Sequence, residues 1–266
     1  MTHAVISLSN EGARLATAIA ARLLDTQVYL HRSTAFQAVA TGRMPALRFD
    51  RICDLTEQLF PVCNGLIYIA PTGVVVRAIA PCIHHKTTDP AVVAVDVGGR
   101  WAISLLSGHE GGANDLAMAV SNILAAEPVI STTTEALKTI IVGVGCRRGI
   151  PADQIIQAIH RALATAHVAL DQVRMLASAD IKADEPGLLE AMRQLGVPLR
   201  LISSDELRQC PRDFSRSEFV KEKVDLPAVA EPAALLAGRR TRLLLPRQVY
   251  SGVTVALAAE NCMWSE

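Results

Sequence analysis

The sequence predicts an α/β protein of two domains, each built on a largely parallel sheet, joined by a short linker. Three observations predict it. The chain has 266 residues, half of them hydrophobic, enough to bury a core in each of two ordinary domains. Only 4% of the residues are aromatic, so Ala, Val, Ile and Leu must fill the space between parallel strands and covering helices. Short apolar runs alternate with stretches of helical period, the order expected of βαβ units.

Taken in order, Ala4 to Leu8 reads as a strand, Asn10 as a helix cap, and Leu15, Ile19 and Leu23 as the spaced face of a first helix. Val28 to Leu30 resumes strand, Asp50 to Leu59 reads as a helix, and Leu66 to Ala70 as a buried strand. After Pro71-Thr72-Gly73, the run Val74 to Ala80 is a helix candidate, and a polar loop covers His84 to Pro90. Val92 to Asp96 and Trp101 to Leu105 flank Val97-Gly98-Gly99-Arg100, which predicts a hairpin. Its second strand runs into Ser107 to Asn114, followed by a helix over Asp115 to Leu124 and a strand over Pro128 to Ser131.

A polar joint through Thr132 to Thr139 places the boundary, giving domains 1–138 and 139–266. The second domain is expected to open with strand Ile140 to Val142, turn through Gly143 to Gly149 and enter a helix near Pro151 with Ile155, Ile159 and Leu163 on one face. Helix Pro186 to Leu195, strand Leu199 to Ile202, helix Ala228 to Leu236 and strands Leu243 to Leu245 and Val253 to Ala258 follow, with Cys210 to Ser217 as the least ordered stretch.

Composition narrows the function. The 26 basic and 26 acidic side chains cancel, which argues against a nucleic-acid protein held by a broad positive field. The basic set contains 21 Arg and 5 Lys, a bias suited to bidentate capture of carboxylate or phosphate. The start of the chain lacks a basic and then apolar leader, and Gly65 to Ile83 is broken by Pro71, Arg77 and Pro81, so a cytoplasmic protein without a membrane helix is expected. The six cysteines are widely scattered without a Cys-x-x-Cys pair, which argues against a zinc site or a disulfide framework. Cys146, in the glycine-rich turn, is the one whose thiol invites a reactive reading.

The clearest candidate site is Ser107 to Asn114, where Gly108, Gly111 and Gly112 stand between a strand end and a helix start. Free backbone N–H groups and the helix dipole make such a turn an anion cradle. Ser107 can serve as cap, Asn114 adds a polar contact, and His109 is the expected base or acid, its ordinary pKa being near neutrality. In the loop before the hairpin, Lys86 suits a substrate carboxylate and Asp89 suits proton transfer or the orienting of Lys86. His84 and His85 are adjacent and point to opposite faces, which disfavours a shared metal. The loops Lys86 to Asp89, Ser107 to Asn114 and Thr132 to Thr134 are expected to form one rim, with Thr132 and Thr133 among the binding residues. Gly143, Gly145 and Gly149 imitate a dinucleotide loop poorly, and Arg147 and Arg148 there suit free carboxylates better. Neither a Gly-x-Ser-x-Gly elbow nor a phosphate loop ending in Gly-Lys-Ser/Thr occurs.

Several segments carry a resemblance. They are GLIYIAPTGVVVRAIAP, KTTDPAVVAVD, ISLLSGHEGGANDLA and PVISTTTE in the first half, and VGVGCRRG, KADEPGLLEA, SRSEFV, VAEPAALL and GVTVALA in the second. In this order they resemble the cobalamin biosynthesis protein G family, the cobalt-precorrin-5A hydrolases of the anaerobic vitamin B12 route. The second domain alone also resembles the small accessory protein of the aerobic route. In one respect the chain departs from the family: members usually carry an intervening region where Thr134 and Val142 here nearly adjoin.

The resemblance implies opening of a δ-lactone on a corrinoid macrocycle and loss of a two-carbon fragment as acetaldehyde. Such chemistry asks for a base and oxyanion donors and no cofactor, the cobalt being carried by the substrate. The acetate and propionate groups of that substrate would meet Arg77, Lys86, Arg147, Arg148 and the glycine-loop amides. Neighbouring pathway enzymes are the implied protein partners. Two other functions compete: a non-catalytic corrinoid carrier using the same basic groups, and, remotely, a nucleotide-binding regulator.

Overall fold

The computed structural model describes residues 3–35, 45–211 and 228–261. Most of the stretch expected to be least ordered, the SRSEFV run and Cys262 lie outside the described residues. The chain divides into two compact units, residues 1–132 and 133–266.

In the first unit seven strands form one sheet, in the order β3-β2-β1-β4-β5-β6-β7. They are β1 (His3–Ser7), β2 (Thr26–His31), β3 (Leu47–Phe49), β4 (Gly65–Ile69), β5 (Ala91–Val95), β6 (Trp101–Leu106) and β7 (Glu127–Val129). Every neighbouring pair is parallel except β5 and β6, the predicted hairpin. The connecting helices α1 (Asn10–Arg22), α2 (Ile52–Leu59), α3 (Thr72–Ile79) and α4 (Ala113–Leu124) cover both faces.

Strand alternation sorts the core. Val5, Leu30, Ile67 and Val93 pack with Ala13, Ala16 and Ile19 of α1 and Ala117 and Val120 of α4. Their neighbours Ala4, Ile6, Leu66 and Tyr68 pack with Leu55 and Leu59 of α2 and Val75 and Ile79 of α3. Tyr68 is fully buried, and its hydroxyl shares a hydrogen bond of 2.9 Å with Thr56, so its polar tip is satisfied. At the start of α1 the cap is Ser9, whose Oγ accepts the Gly12 N–H at 3.1 Å; Asn10, expected there, is the first helical residue. The edge strand β3, three residues with Leu47 and Arg48 exposed, has too short a pattern to be read from sequence.

The second unit holds a five-stranded sheet, in the order β10-β9-β8-β12-β11. Its strands are β8 (Ile140–Cys146), β9 (Val173–Ala179), β10 (Leu199–Ile202), β11 (Thr241–Tyr250) and β12 (Val253–Glu260). β8, β9 and β10 run parallel, whereas β12 is antiparallel to both β8 and β11. The reversal follows from the two-residue turn Ser251-Gly252, with φ of +48° and +90°, since a loop that short can join only antiparallel strands. The short α5 (Thr133–Ala136) precedes β8, and α6 (Ala152–Thr165), α7 (Pro186–Leu195), α8 (Ser204–Arg208) and α9 (Ala230–Leu236) are the unit's other α-helices among the described residues.

Ile155, Ile159 and Leu163 of α6 and Leu188 of α7 bury against Val142, Val144, Val253 and Val255. Gly143, expected in a turn, lies inside β8, which runs on to Cys146. A side chain there would put its Cβ 1.8 Å from the Ala230 carbonyl oxygen, so this glycine lets α9 approach the strand. Among the described residues no helix is long and apolar enough to cross a membrane.

Candidate functional site

The polarity of β6 creates the site in the first unit. Because β6 is antiparallel to β5, with Leu106 paired to Val92, the loop that enters β5 and the loop that leaves β6 meet at one edge of the sheet. β7 runs parallel to β6, with Val129 paired to Ile103, and carries the chain to Thr132 at that same edge. The three segments touch there. Lys86 Nζ donates to Glu110 Oε1 at 2.6 Å, and a Cβ on Gly111 would lie 3.1 Å from the Asp89 carbonyl oxygen. The Asn114 amide donates to Thr132 Oγ1 at 3.0 Å. Thr133 and Thr134 belong to the second unit.

Within this edge the polar side chains divide by what they already hold. Asp89, 6% exposed, accepts the His84 N–H with both oxygens at 3.1 Å. It closes its own loop, and Lys86 is oriented by Glu110 rather than by Asp89 as expected. Glu110, whose pairing sequence reasoning missed, has its carboxyl held below the usual range, first by the hydrogen bond from Lys86. Opposite charges in two loops predicted to converge were the available signal. Asn114 was expected at the substrate. Its amide is used at both ends instead, accepting from Ser104 Oγ at 2.8 Å and donating to Thr132, and so ties α4 to β6 and to the segment after β7. Gly108 must be glycine for the same reason, since its Cβ would lie 2.6 Å from Thr132 Cγ2.

His109 is exposed, and its ring has no hydrogen-bond partner among the described residues. Ser107 is 7% exposed, adopts φ +56°, and its Oγ meets no partner among the described residues. The cap of α4 is Gly112, at φ +83°, with no side-chain hydrogen bond, so the capping duty expected of Ser107 is not performed by its hydroxyl. Its carbonyl oxygen instead accepts the N–H groups of Gly111 and Ala113, each at 3.1 Å.

Arg77 does not join this group. Its guanidinium donates to the Gly73 carbonyl at 3.0 Å, in the first turn of its own helix α3, which begins after the C-terminal end of β4. Arg147 and Arg148 lie in the second unit, exposed after β8, and Arg148 stands 3.7 Å from Asp184. Beneath them Glu185, its side chain only 2% exposed, accepts from Lys182 at 3.1 Å and from the Gly149 N–H at 2.8 Å. Burial pushes the Cys146 thiol up, against a smaller lowering by Lys182. It is therefore a thiol near neutrality and a poor nucleophile. Among the described residues no group of three or more His, Cys, Asp and Glu is placed to hold a metal ion.

Comparison with known proteins adds the following. Residues 54–135 match the family described as Cobalamin synthesis G N-terminal, and residues 140–258 the one described as Cobalamin synthesis G C-terminus. Cobalt-precorrin-5A hydrolase of Salmonella typhimurium is 25% identical over 300 aligned positions, covering 78% of this chain and 85% of that protein. The protein of the same name from Priestia megaterium is 25% identical over 355 positions, covering 96% and 94%. Protein CobE of a Sinorhizobium species is 36% identical over 136 residues, covering 50% of this chain and 88% of its own length. The first two alignments are longer than the 266-residue chain, so those relatives carry segments that this chain lacks.

Proposed function

The chain belongs to the cobalamin synthesis G family, and we infer that it is a hydrolase of cobalamin biosynthesis, opening the δ-lactone of cobalt-precorrin-5A and releasing acetaldehyde to give cobalt-precorrin-5B. One observation in the structure supports this reading most: the loops bearing Lys86, Asp89, Ser107 to Asn114 and Thr132 occupy one edge of one sheet. Lactone opening needs a base, an oxyanion site and a hold on the carboxylates around the ring. His109 is the base, because it is the ionisable side chain of the glycine turn whose ring is exposed and makes no hydrogen bond among the described residues, its one charge partner there being the neighbouring Glu110. The N–H groups of Gly108 and His109, which have no partner among the described residues, are the donors for the developing oxyanion.

Lys86 takes a substrate carboxylate. Its bond to Glu110 is exposed, and an exposed pair of this kind contributes little to stability, so an incoming carboxylate competes for the ammonium at little cost. Arg147 and Arg148 are proposed as further carboxylate partners on the second unit. No cofactor takes part in this reading, the cobalt arriving with the macrocycle.

The test is incubation with cobalt-precorrin-5A, with acetaldehyde and the mass of the corrinoid product followed together. Release of one acetaldehyde per ring is expected, whereas stoichiometric binding without product would make the protein a carrier. His109→Asn should lower turnover by about 10²- to 10⁴-fold while substrate binding is retained. Near-normal turnover in the folded variant would remove His109 from the mechanism.

A further inference from the structure

We propose that Ser107 is a covalent nucleophile, so that the lactone is opened through an acyl-enzyme rather than by direct attack of water; this rests on the lactone-opening reading. Two independent features single it out. Its backbone lies at φ +56°, a region that residues other than glycine rarely enter. Its side chain is more than nine-tenths buried, yet Oγ has no hydrogen-bond partner among the described residues. Glycine would relieve the backbone and alanine would remove the orphaned hydroxyl; serine does neither. A residue that weakens the fold on both counts is a candidate for function.

The surroundings fit a nucleophile better than a structural serine. The hydroxyl does not cap α4, where Gly112 holds the cap position, and the loop is closed by the Ser107 carbonyl instead. A Cβ on residue 111 would lie 2.4 Å from the Ser107 Cβ, so the space over this side chain exists only because Gly111 is glycine. A strand-to-helix turn with a serine at its tip presents the hydroxyl next to the N–H of the following residue, which in serine hydrolases donates to the oxyanion. Here that residue is Gly108, whose N–H has no partner among the described residues. Oγ is covered by the glycine turn itself, so attack requires that turn to lift, which breaks the exposed Lys86–Glu110 pair and the Gly111 N–H bond to the Ser107 carbonyl.

In the first step Oγ attacks the lactone acyl carbon and its proton passes to His109. The Oγ–C bond forms, the ring C–O bond breaks, and the released alkoxide takes the proton from His109. In the second step water attacks the ester, giving its proton to His109. The C–Oγ bond breaks, Ser107 takes that proton back from His109, and the carboxylic acid left behind releases water's second proton to solvent as it becomes the carboxylate. The freed alcohol then loses its proton as the carbon–carbon bond cleaves. Acetaldehyde leaves, and the ring carbon keeps the electron pair and is protonated.

The experiment combines turnover, thermal unfolding and acid-quenched mass analysis of wild type, Ser107→Ala and Ser107→Cys. Expected results are a substrate-derived mass on residue 107 in wild type or in the Cys protein, and a loss of about a thousandfold or more in turnover for Ser107→Ala. The unfolding midpoint of Ser107→Ala should be equal to or above that of wild type, whereas a serine with a structural role would give a lower one. Ser107→Ala turnover within tenfold of wild type overturns the proposal, as does the absence of any adduct in both wild type and Ser107→Cys. If wild type itself releases no acetaldehyde, the hydrolase reading fails and this proposal with it.

Discussion

Gly111 occupies a position with no room for a side chain. Its Cβ would lie 2.4 Å from Ser107 Cβ, 3.0 Å from the Ser107 carbonyl and 3.1 Å from that of Asp89, and two of these three neighbours are backbone that cannot swing aside. Gly111→Ala should therefore destabilise the first unit by about 1–3 kcal/mol through overpacking, read as a lower midpoint in thermal unfolding. An unchanged midpoint would mean that the two loops are less closely packed than described. Gly112 differs, since it owes its glycine to φ +83° and has open space around it. The sequence shows three glycines in this turn without distinguishing these reasons. It also conceals the left-handed Ser107, because no residue pattern announces a positive φ at a serine. Lys86 and Glu110 were closer to legible, being opposite charges in loops that the hairpin had to bring together.

At the level of elements, the reversal between β5 and β6 decides where the site lies, and it was readable from Val97-Gly98-Gly99-Arg100 between two alternating runs. β9 was not readable. Its VRMLASA is rich in small residues of weak strand preference, yet it is an interior strand, paired with β8 and β10 on either side, so tertiary burial overrides its composition. The turn after β9 carries Lys182 and Glu185, paired at 3.1 Å. Glu185 also accepts the Gly149 N–H and thereby links the turns that follow β8 and β9. Glu185→Ala leaves an ammonium in a largely buried place and an unpaired N–H, and should lower the stability of the second unit by about 3 kcal/mol. Replacing Lys182 and Glu185 together by Met should cost less, because no charge is then left unpaired. Denaturant midpoints of the single and double variants test this, and equal losses would contradict it.

Over the whole molecule, each unit carries a complete core of its own. Among the described residues, the two apolar clusters of the first unit draw only on residues 4–126, and that of the second only on residues 140–259. The family matches divide similarly, ending at 135 and resuming at 140. A sheet of five strands covered by α6, α7 and α9 is also above the size at which an isolated domain becomes marginal, which lies near 60 residues. It follows that residues 133–266 expressed alone should fold, giving a single cooperative transition in urea and native-like protection of the amides of β8, β9 and β12. Their midpoint should still fall with Glu185→Ala, because every partner that side chain has among the described residues lies within the fragment. A fragment that unfolds without a cooperative transition would show that the second sheet depends on the first unit, and the division of the chain into two independently folding units would then have to be given up.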